Sequence, residues 1–575
     1  MLPSLPQDDP HPAKRTKELE HARDKYQFDY SYKNLANAKE VPLVDKSDPR
    51  YWAGVGEKTL QVKANKALWK GEEKAQEIAE RFKKLFDGSE PDNFGKLRSQ
   101  LEREVVGDID GGRPEDPQDY EKMFVKLRTP PIAHNWRSDE MFAWQAIAGY
   151  NPTMLTRVNE RPAQLGVTDE LYSRATNGAD SYEKAIAEGR CFTTDYRLFA
   201  GVPGGVVDGL QKYLVAPIAL YAWQRAAGSG RGKLMPIAIQ CGQTPDSPIF
   251  TPRDGISWQM ARTALMGAES NQGGLIVHFG LCHLALESVV LSARRQLAEQ
   301  HPVRVLLEPH FQYTLISNEI TKTTLVNPGG IIDRLQSPPL DDSLEVCLKG
   351  LSEFRLSESA PPKDFARRGV DDLQGLPEYP FRDDSLQVWP VMRDWVDSYL
   401  RLYYKQDTDV LGDAEMAGFV REMGAQDGGR LQGLKALTGV DDLVDLVAQI
   451  IFRASSYHAS INYPLYDFCF AASGPTSVYG PGPYGNDSDT QDALRQMLPP
   501  EDLAYESVAI YWPLTAKLNR LGQYAPFADP AVAPLLQTLQ SRLNDVDAHI
   551  RQADASRPLS YLYYAPSEAT QSIHV

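Results

Sequence analysis

Two histidines stand in the most apolar stretch of the chain. The segment LIVHFGLCHLAL at 275–286 contains no charged residue, and His278 and His283 lie five apart within it. The whole chain holds only ten histidines. An imidazole in an apolar interior needs a partner for its ring nitrogens, since an unpaired buried polar group is costly. A metal ion would satisfy both rings at once; the alternative is two core histidines that find ordinary hydrogen-bond partners. On a regular α-helix, positions five apart diverge by roughly 140°. A π-type turn brings i and i+5 nearly into line, and such turns gather at functional sites. The spacing therefore predicts a local widening of the helix between His278 and His283. A second candidate lies in RASSYHASINY, where His458 and Asn462 stand four apart and would share one helix face. One imidazole and one amide oxygen could meet the same ion, or the pair could make a hydrogen bond at a helix end.

These residues must be carried by helices. The uncharged twelve-residue stretch is too short to span a bilayer and reads as a helix buried in protein. Helical spacing recurs at 441–458, with Leu443, Leu446, Val447, Ile450 and Ile451, and at 535–550, with Leu539, Leu543 and Val546. At 71–88, Ala75, Ile78, Ala79, Phe82, Leu85 and Phe86 fall on one face, predicting an amphipathic helix. Strand signals concentrate at 190–240, around Val215, Ile218, Ile237 and Ile239, broken by Gly228, Gly230 and Gly232. The polar, proline-rich stretch 336–384 and GPTSVYGPGPYGND at 474–487 read as long surface loops. The expected fold is a large, mainly α body with a small β element and no internal repeat.

Composition narrows the partners. The 575 residues are 42% hydrophobic and 24% charged, an ordinary globular balance. With 61 basic against 77 acidic side chains, a formal charge of −16, no basic face is available for DNA or RNA. Five cysteines without a CxxC pair supply neither a disulfide framework nor a thiolate zinc site, and a reducing cytoplasm is expected. Residues 1–14 read as a loose terminus without the apolar core of a secretory leader.

The chain resembles the lipoxygenase family over most of its length. The likeness runs from SDEMFAWQAIAGYNP at 138–152, through LMPIAIQ at 234–240, to SIHV at the end. Its most specific part extends from Trp258 through the H-x4-H pair, Glu287, the His301-Pro302 dipeptide and PHF-x-YT to Asn318, with HASIN as a second metal helix. The resemblance implies a helical catalytic domain at 126–575. Residues 1–125 lack the alternating strands of the β-sandwich lipid-binding module found in larger members, and are expected to form a helical extension packed on the body. That extension is a candidate for weak peripheral membrane contact, although the acidic balance argues against electrostatic anchoring. Oligomeric state is left open.

Carried over residue by residue, the resemblance puts the metal ligands at His278, His283, His458, Asn462 and the terminal carboxylate of Val575. The H-x4-H spacing favours one non-haem iron; a terminal Val, seen in some manganese-containing members, keeps manganese open. The implied reaction begins with a hydroxide on the metal held by the three histidines taking a hydrogen atom from the bis-allylic carbon of a 1Z,4Z-pentadiene. Dioxygen then captures the radical, giving a conjugated-diene hydroperoxide. The substrates implied are O2 and polyunsaturated fatty acids such as linoleate and linolenate. Leu325 matches the family's clamping leucine, and Phe279 and Thr321 are expected beside it at the substrate. Thr321 replaces the Ala or Gly that biases product chirality in many members. A glutamine pair that many members place beside the metal maps to Gly274 and Leu465, both changed. Conversion of a hydroperoxide, or a catalytically silent lipid-binding role, are the alternatives.

Overall fold

The computed structural model describes residues 2–71, 112–225 and 231–575 of the protein. The amphipathic helix expected at 71–88 lies outside the described residues, as do Gly228 and Gly230. Helices dominate the rest, and one of them organises the core. Gly255–Gln296 runs for 42 residues with a mean hydropathy of 1.8 in its most apolar window, long and apolar enough to cross a membrane by composition alone, yet 89% of that window is buried in protein. It is the central helix of the body.

Neighbouring helices follow local chemistry. Ser138 starts Asp139–Ala148 by accepting a hydrogen bond from the Met141 N–H. Pro302 opens Pro302–Phe311, while the His301 side chain accepts from the Val303 N–H. Val440–Phe452 buries Leu443, Val444, Val447, Ile450 and Ile451, and Val532–Asp554 buries Leu539, Leu543, Val546 and Ile550, as the spacing predicts.

The β element falls at 190–240 and just outside it. Five antiparallel strands pair in the order Thr156–Arg157, Cys191–Asp195, Ile218–Gln224, Lys233–Gln240 and Ile249–Phe250. A smaller sheet joins Val206–Val207 and Leu210–Tyr213 to Val478–Tyr479.

Two loop expectations are corrected. The stretch 336–384 contains the helices Leu340–Glu353 and Pro361–Arg368 and the start of Pro380–Leu400. Its prolines mark helix beginnings: Pro361 and Pro380 occupy the first helical turn, where a missing N–H costs nothing. Residues 474–479 are buried instead of lying on the surface, because Val478 and Tyr479 pair with Tyr213 and Lys212.

At the N-terminal end, Pro12–Lys25 and Pro49–Trp69 pack on the body. Arg15 makes a buried pair with Glu415, Nη2 to Oε2 at 3.0 Å, and the Asn65 amide donates to the Tyr505 hydroxyl at 2.9 Å. Among the described residues before 126, strand is limited to Phe28–Asp29 paired with Asn37–Ala38, and no β-sandwich is present.

Candidate metal centre

The central helix widens where the histidines stand. Gln272–Leu284 is a π-helix between regular α segments, so His278 and His283 fall on one side of it. Their Nε2 atoms face each other at 3.2 Å. A second π segment, Arg453–Tyr457, leads into His458–Asn462, and the Arg453 guanidinium donates to the Leu281 carbonyl at 2.6 Å, tying the two wide turns together. One ring nitrogen from each of His278, His283 and His458 lies within 4.8 Å of the others. The ring centroids are 4.6, 5.5 and 5.3 Å apart.

Burial fixes the protonation state of this cluster. It holds His283 down at about 4 and keeps His278 and His458 well below the usual imidazole range. Neutral rings present lone pairs, which is what a cation requires. His283 Nδ1 meets the Asn318 Oδ1 at 2.7 Å, leaving Nε2 free to point at His278.

Asn462 is held in a complementary way. Its Nδ2 donates to the Leu514 carbonyl at 2.8 Å, which turns Oδ1 away from that partner. The amide lies beside His278, and the main chain of Val575 lies beside His458. Asn462 Oδ1 and both ring nitrogens of His458 are buried without a hydrogen-bond partner. Such orphaned groups cost about 1–3 kcal/mol each. Three imidazoles and a neighbouring amide oxygen are donors of the kind iron or manganese takes, and a cation among them would satisfy Asn462 Oδ1 and one nitrogen of the His458 ring.

The last residues are woven into the body. Residues 569–575 are buried throughout. Asn519 accepts from the Gln571 N–H at 2.9 Å and donates to Ser572 Oγ at 2.8 Å. The Gly522 N–H donates to Gln571 Oε1 at 2.8 Å, and His310 Nδ1 lies 2.7 Å from the Gln571 carbonyl.

The expected substrate residues sit on a third π segment, Thr321–Leu325, and on the central helix. Leu325 is half-buried and packs against two apolar clusters, one with Leu340 and Leu344 and one with Ile331 and Leu335. Thr321 is half-buried, its hydroxyl donating to the Ser317 carbonyl at 3.0 Å. Phe279 packs with Leu35, Leu284 and Val326, and borders a cavity of about 170 Å3 between the central helix and residues 37–41.

Several contributors escape sequence reasoning. Asn318 is visible as part of a pattern, but its grip on His283 depends on two helices meeting. Gln336 fills the space beside Gly274: a Cβ there would lie 3.3 Å from Gln336 Nε2. Gln336 opens the proline-rich stretch whose composition points to a surface loop, and nothing in that composition marks the contact. Leu465 is buried in the short helix Pro464–Asp467.

A family model described as Lipoxygenase matches residues 59–498. The chain is 35% identical over 489 residues to the linoleate 9/13-lipoxygenase of Pseudomonas aeruginosa, covering 81% of this chain and 70% of that protein. It is 30% identical over 456 residues to hydroperoxide isomerase ALOXE3 of Mus musculus, covering 77% of this chain but only 63% of that protein. Among solved structures it is similar to coral 8R-lipoxygenase, with a TM-score of 0.85 at 25% identity over 100% of this chain and 83% of that one.

Proposed function

The chain belongs to the lipoxygenase family, and from that premise we propose that it is an iron enzyme that adds O2 to the 1Z,4Z-pentadiene of polyunsaturated fatty acids such as linoleate. His278, His283, His458, Asn462 and the Val575 carboxylate would hold the metal, with manganese the other candidate. The single observation that carries this reading is the cluster of three buried imidazoles beside an unpartnered Asn462 oxygen. When bound, a redox-active ion of this kind supplies hydrogen-atom abstraction at a bis-allylic carbon, so no side-chain acid or base is required.

The chain's own residues do the positioning. Asn318 sets the His283 ring, the Leu514 carbonyl sets the Asn462 amide, and Asn519 and His310 hold the tail that ends in Val575. Leu325, Thr321 and Phe279 are proposed to meet the acyl chain, with Leu325 pressing the pentadiene toward the metal. Residues 1–125 are taken as a helical extension on the catalytic domain at 126–575, with weak peripheral membrane contact proposed for the extension. A cytoplasmic setting is proposed as well, supported by five unpaired cysteines, four of them buried.

Incubation with linoleate in air, followed by ultraviolet absorbance of conjugated diene and by elemental analysis, tests this. A rising diene signal with one iron per chain is expected; no diene from metal-loaded protein would remove the oxygenase reading. A second reading, conversion of a preformed hydroperoxide, is favoured by the changed residues Gly274 and Leu465 and by the likeness to a protein named hydroperoxide isomerase. Consumption of a hydroperoxide without oxygen uptake would select it.

A further inference from the structure

Resting on the metal-binding reading, we propose that the N-terminal segment 26–46 is a working part of the metal centre. It sets the His283 ring through a relay from the Ala38 N–H to Glu287 to Asn318, with Lys322 as the pin that keeps the segment in place.

Each link has a distance. The Ala38 N–H donates to Glu287 Oε1 at 2.7 Å. The other oxygen, Oε2, accepts from Asn318 Nδ2 at 2.7 Å. The same Nδ2 donates to the His283 carbonyl at 3.0 Å, while Asn318 Oδ1 faces His283 Nδ1 at 2.7 Å. Glu287, Asn318 and Ala38 are all buried.

The direction of the relay follows from donor chemistry. Glu287 accepts on both oxygens, Oε1 from the Ala38 N–H and Oε2 from the Asn318 NH2, so it draws the NH2 end of the Asn318 amide toward itself. The amide oxygen is thereby turned to His283 and can only accept from Nδ1–H. That selects the tautomer whose lone pair sits on Nε2, the nitrogen facing His278. Glu287 can hold this posture only while its second oxygen is also satisfied, and the donor comes from the backbone of residue 38. If the segment moved away, Oε1 would face the cavity of about 170 Å3 that borders Tyr32, Asn37, Glu287, Asn318 and Lys322. Water there could draw Glu287 off and release the amide to flip.

The segment is fastened to the same part of the body. Lys322 Nζ donates to Asn37 Oδ1 at 2.8 Å and to the Ala38 carbonyl at 3.1 Å, and its charge also acts on the Glu287 and Asp29 carboxylates. Lys46 pairs with Glu319 at 2.8 Å, and the Tyr32 hydroxyl donates to the Val326 carbonyl. Lys322 belongs to the wide turn Thr321–Leu325, so the pin also joins the segment to the turn that bears Leu325.

The test uses full-length protein loaded with Co2+, whose visible spectrum reports ligand geometry and whose release to a chelator can be timed. Lys322→Met should release the ion about three- to tenfold faster, below the roughly 10–100-fold typical of removing a direct partner of a metal ligand. It should also shift the spectrum and speed hydrogen exchange around residue 38, while Lys322→Arg restores all three. In an Asn318→Ala background the Lys322→Met effect should vanish; if that background holds no metal, Glu287→Gln takes its place in the cycle. Release from Lys322→Met at the parent rate, or an undiminished factor in the second background, would overturn the relay. Absence of diene from the parent protein alongside a confirmed relay would sink the oxygenase reading and leave the relay standing.

Discussion

At the scale of single residues, His283 carries the heaviest load, because one ring nitrogen faces His278 while the other is held by Asn318. Its replacement by Ala is expected to abolish both stoichiometric metal and diene formation; a variant that kept full activity would refute the ligand assignment. His310 makes a separate prediction. Burial holds it down at about 3 against an ordinary 6.5. A histidine whose folded pKa is depressed stabilises the fold above the unfolded pKa, and that stability is lost as pH falls from 6.5 toward 3. At pH 5 the loss is about 2 kcal/mol. Denaturant unfolding of metal-free protein at pH 7 and pH 5 should show it, and His310→Gln, which can still hydrogen-bond the Gln571 carbonyl, should show a smaller drop. Equal drops in both proteins would remove His310 from the account. The spacings made a shared face legible for His458 and Asn462 and a widened helix for His278 and His283, while the ligand set as a whole, Val575 included, was legible only through the resemblance. The partners of those ligands were not: Asn318 stands 35 positions from His283, and no periodicity links side chains on two different helices.

Elements show the same division. Five-residue spacing in an uncharged run was sufficient to expect a widened helix, and Gln272–Leu284 adopts one. The two further wide turns, Thr321–Leu325 and Arg453–Tyr457, carry no comparable mark in their residues. The expected loop at 336–384 failed for a definable reason: proline clusters there begin helices, and composition alone does not separate a first-turn proline from a turn. One of those hidden helices braces the metal helix. Leu340–Glu353 brings Gly350 so close to Ile276 that an added Cβ would lie 2.3 Å from Cγ2 of that side chain. Gly350→Ala should therefore cost about 1–3 kcal/mol through overpacking and loosen metal binding by distorting the π segment. Ile276→Ala removes the clashing methyl, so the two changes together should cost less than their sum. Denaturant midpoints for the four proteins of the cycle would show it, and simple additivity would mean the helices do not brace each other here.

Over the whole molecule, the candidate ligands come from distant parts of the chain, and the last proposed one is where the fold does most to earn the site. A chain end normally frays, and ordering backbone costs about 1–2 kcal/mol per residue. Here 569–575 is buried throughout. It is held by Asn519, Gly522 and His310 through Gln571 and Ser572, by the Leu521 N–H on the Ala569 carbonyl at 3.0 Å, and by His574 Nε2 lying 3.0 Å from the Ala516 carbonyl. That clamp places the Val575 main chain beside His458. If the terminal carboxylate is a ligand, its position matters more than the side chain that bears it. One glycine appended after Val575 would move the carboxylate by about 3.8 Å and put a neutral amide in its place. Metal content after purification should fall at least about tenfold, with helical circular dichroism unchanged. Asn519→Leu should give a smaller loss, because it loosens the tail without changing the ligand. A glycine-extended protein that retains full iron would show that the carboxylate does not hold the ion, leaving three imidazoles and Asn462 as the whole protein donor set.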